Sequence, residues 1–152
     1  STYLYDEEVV FVTHPRHPFA SRSTVSISEI AQEPLILYDK DSTYYVLITR
    51  ECREAGIMPK VIMNLDSVEA TKKMIERGLG VSFLPVSAIN AELAQGTLVY
   101  IPLAEGHRVT LPTSVMVRKS TIPHPLVDAF LSVVQRFRPA GLPSRAGVSS
   151  RI

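Results

Sequence analysis

The sequence predicts an α/β domain, and three observations carry that prediction. Short apolar runs at residues 9–12, 35–38 and, Ser82 apart, 81–84 suit buried strands, residues 61–63 read as a further strand, and Gly, Pro or polar clusters bound most of them. Segments with apolar residues at helical spacing lie between them. The unit of strand, loop and helix recurs three times before Pro85, the signature of a parallel sheet with crossover helices.

Taken in order, Glu7 and Glu8 lead into the first strand at 9–12. His14-Pro15-Arg16-His17-Pro18 then forbids a helix, because each proline fixes its own φ and restricts the residue before it. His14 and His17 have metal-ligand residue types, yet the prolines hold the backbone extended and no Cys or carboxylate cluster adjoins them, so a structural turn is expected. Ser26 and Glu29 bracket a short helix in the capping-box pattern. The strand at 35–38 runs into the loop Asp39-Lys40-Asp41-Ser42-Thr43. Asp-x-Asp fits part of a calcium loop, but Tyr44 stands where that motif needs glycine and no glutamate closes it. A helix over 43–55 should bury Tyr45, Ile48, Cys52 and Ala55 and end at Gly56, after which Pro59 leads into the strand at 61–63.

The stretch 66–85 is the most informative. Asp66 or Ser67 serves as N-cap, with Glu69 placed for a capping box. Val68, Thr71, Met74 and Ile75 form a buried stripe, and Glu69, Lys72, Lys73, Glu76 and Arg77 take the wet face, with Glu69 reaching Lys73 one turn on. Gly78 closes the helix in the left-handed conformation, and Gly80 opens an apolar strand that Pro85 halts. A short helix over 87–95, a strand over 98–101 and an extended segment over 109–117, interrupted at Pro112, follow. His124-Pro125 opens a last helix with Leu126, Val127, Phe130, Leu131, Val134 and Phe137 along one side, and Arg136 and Arg138 suit its C-terminal dipole. Residues 139–152 read as a disordered tail.

A chain of 152 residues can bury one good core. A net charge of +1 gives this chain no strong attraction for nucleic acid. The single cysteine, Cys52, excludes an internal disulfide and a Cys-rich zinc site, and its apolar helical position makes it an inert core thiol. No stretch reads as a bilayer span or a signal peptide, so a cytoplasmic protein with no membrane partner is expected. The chain begins almost at once with a strand, which reads as a fragment of a longer product. Catalysis finds no motif: Phe83 stands where a dinucleotide fingerprint wants glycine, and Walker, nucleophile-elbow and zincin patterns are lacking. A non-enzymatic protein without a cofactor is expected.

Ligands of parallel sheets sit at the carboxyl ends of strands, where loops meet helix N-termini. Two such loops are rich in hydroxyls, Ser42-Thr43 and Asp66-Ser67, and with free backbone N–H groups they make a seat for a carboxylate, phosphate or sulfate. Ser42 and Ser67 also serve as plain helix caps. Thr13 and His14 end the first strand at a hinge, and Tyr44 and Tyr45 follow the first loop, at least one of them in the core.

The order of landmarks carries a resemblance. Asp66-Ser67, a helix, Gly78-Leu79-Gly80-Val81 and a run ending Leu84-Pro85 are preceded by residues 9–12 with His17-Pro18-Phe19-Ala20, by residues 25–31 and by Glu33-Pro34-Leu35-Ile36-Leu37. Residues 96–103, Val117-Arg118-Lys119 and the helix near Asp128 follow. Together they resemble the effector-binding (substrate-binding-like) domain of LysR-type transcriptional regulators over residues 4–137. The resemblance implies a type II periplasmic-binding-protein-like fold, with two α/β subdomains joined by two crossing strands and a small-molecule cleft between them. Residues 1–12 would enter from the first subdomain, 13–109 would form the complete second regulatory subdomain, 110–138 would be the return strand and C-terminal helix of the first, and 139–152 the tail. Ligand contacts would fall on Asp41, Ser42, Thr43, Tyr44, Ser67 and Val68, with Thr13 added at the hinge. The implied ligand is a small anionic metabolite whose binding controls transcription, and the implied partner is a second copy in a homodimer or tetramer. The family's helix-turn-helix, linker helix and opening strands of the first subdomain are not in this sequence, so DNA contact is assigned to none of its residues. A segment of a type II solute-binding protein, or a protein-interaction fragment, are the alternative readings.

Overall fold

The computed structural model describes residues 2–118 and 125–136. The chain runs β1 (Thr2–Thr13), α1 (Ile27–Ile30), β2 (Leu35–Tyr38), α2 (Thr43–Glu54), β3 (Val61–Leu65), α3 (Val68–Glu76), β4 (Ser82–Pro85), α4 (Asn90–Gln95), β5 (Val99–Ile101), β6 (Val109–Val115) and α5 (Pro125–Val134). Short 3-10 turns at Pro18–Ser21, Val86–Ala88 and Ala104–Gly106 join some of them. His124, Phe137, Arg138 and the expected tail lie outside the described residues.

The sheet is mixed, where a wholly parallel one was expected. β2 and β3 are parallel, and a parallel bridge between Leu35 and Val81 ties β2 to the start of β4 through Ile36 N–H to Val81 O at 2.8 Å and Val81 N–H to Pro34 O at 3.0 Å. β1 runs antiparallel to β4, from Val9 opposite Pro85 to Val12 opposite Ser82, and antiparallel to β5 and β6 on its other edge. An all-apolar run suits a buried strand, although in β3 Ile62 is exposed, and it contains no information on the strand's direction. Only the partners fix that, and here they reverse β1.

Two apolar cores flank the sheet. The alternation of β1 sends Val9 and Phe11 to one, where they meet Leu37, Ile48 and Cys52, and Val10 and Val12 to the other, where they meet Ile75, Leu84 and Ile89. Phe11 and Phe83 pack with tilted rings 5.5 Å apart in the first core. Cys52 is 1% exposed, and burial pushes its thiol pKa up, which agrees with the inert core role expected of it. Ala55, expected inside, is exposed because α2 stops before it, and Leu47 is buried in this helix instead. Gly80 has a stronger reason than strand initiation. A Cβ there would lie 2.7 Å from the carbonyl oxygen of Pro34, so only glycine lets β2 and β4 approach.

The expected capping box forms at α1, where Ser26 and Glu29 bond each other's backbone N–H groups. Hydrogen bonds from Arg22 and Ser26 hold the Glu29 carboxyl down at about 2. It does not form at α3: Ser67 is the N-cap, so Glu69 falls one position short and Ala70 donates to the Ser67 hydroxyl. Glu69 pairs with Lys72 at 2.7 Å and not with Lys73, which pairs with Glu76 at 2.7 Å. Lys72 itself, expected on the wet face, is 5% exposed. The segment after β4 covers it, so that its ammonium donates to Ala88 O at 2.9 Å and pairs with Glu92 at 2.7 Å. Burial opposes its charge, but the hydrogen bonds to Glu69 and Glu92 outweigh burial and hold its pKa above the ordinary lysine value.

Gly78 closes α3 at φ +70°, as expected. His14 and His17 build the turn after β1: Nδ1 of each accepts a backbone N–H, from Arg16 and Phe19 respectively, and His17 Nε2 faces Glu33 at 3.2 Å. No residue of α5 is buried, and Leu126 and Phe130 are well exposed.

Candidate ligand-binding site

Because β2 and β3 are neighbours and parallel, the helices that follow them begin at the same end of the sheet. Asp39 shapes the first approach, accepting Asp41 N–H on its side chain and Ser42 N–H on its carbonyl. Ser42 then caps α2 by accepting Tyr45 N–H at 3.1 Å. Ser67 caps α3 in the same way from Ala70 N–H at 3.2 Å, and its carbonyl takes Thr71 Oγ1–H at 3.0 Å. Each cap satisfies one donor of the first turn. The N–H groups of Thr43 and Tyr44, and of Val68 and Glu69, stand in the first turns and have no acceptor within their helices. Asn64 fastens the two strands at this end, its side chain donating to Tyr38 O at 2.8 Å.

An aromatic wall stands beside these donors. Tyr38, the last residue of β2, stacks on Tyr44 in the first turn of α2, with ring centroids 4.7 Å apart and planes 25° from parallel. Burial pushes both phenols above their ordinary pKa, so both stay protonated donors at neutral pH, and among the described residues the buried Tyr38 hydroxyl has no partner. The shelf can therefore take an anion on backbone N–H groups and hydroxyls, with an aromatic face to pack against it.

The fold brings Ser42, Thr43, Tyr44, Ser67 and Val68 to this one end. It sets Thr13 apart. β1 is antiparallel to β4, so its C-terminal residue lies at the opposite end of the sheet, fully buried opposite Val99, with its hydroxyl bonded to His14 O at 3.1 Å. Tyr38 and Glu7 were missed by sequence reasoning. Tyr38 was read only as the end of a strand. Glu7 was read with Glu8 as a charged lead-in, although the two-residue period of a strand puts it in phase with Val9 and Phe11. In the structure Glu7 is 8% exposed and accepts Ser87 N–H at 3.2 Å, while Glu8 reaches outward to Arg108 at 2.8 Å. A separate groove of about 750 Å³ runs along the open edge of β3, lined by Tyr45, Arg53, Ile57, Met58 and Val61 among others, and shares none of the candidate residues.

Among the described residues no helix is long and apolar enough to cross a membrane. The family model for the LysR substrate binding domain matches residues 1–138. The HTH-type transcriptional regulator GltR of Bacillus subtilis is 28% identical over 129 residues, which cover 85% of this chain and 42% of that protein, so the chain spans less than half of that relative. A mutant of Corynebacterium glutamicum OxyR superposes with a TM-score of 0.73 at 25% identity, over 89% of this chain and 42% of that one. The effector binding domain of QuiR in complex with shikimate superposes with a TM-score of 0.72 at 21% identity, over 89% and 63% of the two chains.

Proposed function

This chain belongs to the LysR substrate-binding domain family, and from that premise we propose that it is the ligand-sensing part of a transcriptional regulator, holding a small anionic metabolite at the shared end of β2 and β3. The observation that carries the proposal is the pairing of two Ser-capped helix N-termini on adjacent parallel strands, each with backbone donors left open. Ser42, Thr43, Tyr44, Ser67 and Val68 form this wall, and Thr13 is not part of it. Residues 13–109 act as one regulatory subdomain, while residues 1–12 and 110–138 lead to and from the other, which supplies the opposite wall. The extended pairing of β1 with β6, from Thr2 opposite Val115 to Val9 opposite Val109, suits such a two-strand connection. The bound QuiR domain, which carries shikimate, supports a small oxygen-rich ligand as the class to look for.

The protein acts as a non-catalytic, cytoplasmic sensor that self-associates, and DNA is contacted through segments other than this one. Alanine at Ser67 or Thr43 in the longest natural polypeptide containing this chain tests the site. Thermal-shift screening against organic acids and sugar phosphates first finds a ligand, and calorimetry then follows the variants. Each variant is expected to weaken binding about tenfold, the worth of one hydrogen bond to a charged group. Unchanged affinity in both variants removes the assignment.

A further inference from the structure

We propose that Glu7 makes this site selective for a ligand that carries a cationic hydrogen-bond donor beside its carboxylate, an amino acid or related zwitterion in place of a plain organic acid; the inference rests on the ligand-site reading above. A carboxylate is rarely this buried unless it is paired, and Glu7 is 8% exposed. Its Oε1 accepts Ser87 N–H at 3.2 Å, and among the described residues no Lys, Arg or His forms an ion pair with it. Its neighbour Glu8 shows the contrast, being held by Arg108 through two hydrogen bonds.

The register places Glu7 at the ligand end. Val9 faces Pro85 at the end of β4, so Glu7 lies past that end, and the parallel bridge between Leu35 and Val81 makes it the same end at which β2 delivers Ser42. Tyr44 agrees with this placement: burial, then the charge of Glu7, then Tyr5 push its phenol up. The shelf therefore offers open N–H donors on two helix ends, and a buried carboxylate beside a stacked aromatic pair whose faces also favour a cation. A zwitterion satisfies both. A plain dicarboxylate meets the helix ends but leaves Glu7 unpaired and repelled.

The test is calorimetry on the longest natural polypeptide containing this chain, with L-glutamate against glutarate, L-aspartate against succinate, and L-leucine against 4-methylpentanoate. At least one amino compound is expected to bind tenfold or more tightly than its desamino partner, as a charge-assisted hydrogen bond implies. Glu7→Gln keeps an oxygen to accept Ser87 N–H, which a matching melting curve checks, and it should erase that preference. Three results overturn the proposal: no amino compound binds, partners of a pair bind equally, or the preference survives in Glu7→Gln. The last is expected of a carboxylate that only caps the Val86–Ala88 turn. Ser67→Ala separates the two levels. Binding that needs Ser67 but shows no amine preference removes the Glu7 role alone, whereas binding indifferent to Ser67 removes the site reading with it.

Discussion

α2 and α3 present the same chemical end to the candidate site but are fixed to the sheet by opposite means. Both begin at a serine cap after a parallel strand. α2 is held by Leu47, Ile48 and Cys52, an apolar face inside the first core. α3 buries Thr71, Lys72 and Ile75, and its Lys72 ammonium is clamped between Glu69 of the same helix, Glu92 and Ala88 O. Apolar burial resists displacement without regard to charge, whereas a buried ion cluster depends on every partner staying in place. The end of α3 is thus the one whose setting can respond to electrostatic change, and α2 is the fixed reference.

The comparison is tested most severely by Ile48→Ala, which leaves a cavity in the first core and should cost about 2–5 kcal/mol in urea unfolding. Lys72→Ala should cost less, about 2 kcal/mol, by leaving the half-buried Glu92 carboxylate without its cation. A loss equal to that of Ile48→Ala would make the clamp as structural as the core. Ser42→Ala and Ser67→Ala should each cost about 1 kcal/mol, the usual worth of a cap, and a larger loss at Ser67 would sharpen the difference between the helices.

The smallest effect is on pH dependence. Lys72 holds the Glu92 pKa below its ordinary carboxylate value against the upward pull of burial, so the stability from this pair is present above the unfolded carboxylate pKa and is lost as pH falls through the folded one. Lys72 is held above its ordinary value, so its share is complete below the unfolded lysine pKa and is lost as pH rises through the folded one. Between these limits the stability gap separating wild type from Lys72→Met should be flat, and it should close towards acid. A gap that stays constant into acid would show that Lys72 acts through the packing of its stem.

Local chemistry was legible in the sequence wherever it depends on spacing. Ser42 and Ser67 were placed as caps, Gly78 as a helix stop and Ser26 with Glu29 as a capping box, because each is set by residues within one turn. What depends on a distant segment was not legible. A helical pattern gives the angle of Lys72 around α3 but not that residues 88 and 92 return to cover it. The end of the sheet at which Thr13 lies was hidden for the same reason, since the direction of β1 is decided by β4, β5 and β6. Glu7 lay between the two cases: strand alternation gives its side, and only the register gives its end.

The sharing of β1 among β4, β5 and β6 bears on how the protein is made. All three partners are synthesised after the segment between Thr13 and Ser82, so β1 leaves the ribosome long before these three strands can pair with it. Loop closure over such separations slows folding, and an apolar strand waiting for these partners is a template for another chain. Val10, Phe11 and Val12 should therefore be among the last amides to gain protection in pulsed hydrogen exchange during refolding, and the segment most in need of a chaperone during synthesis.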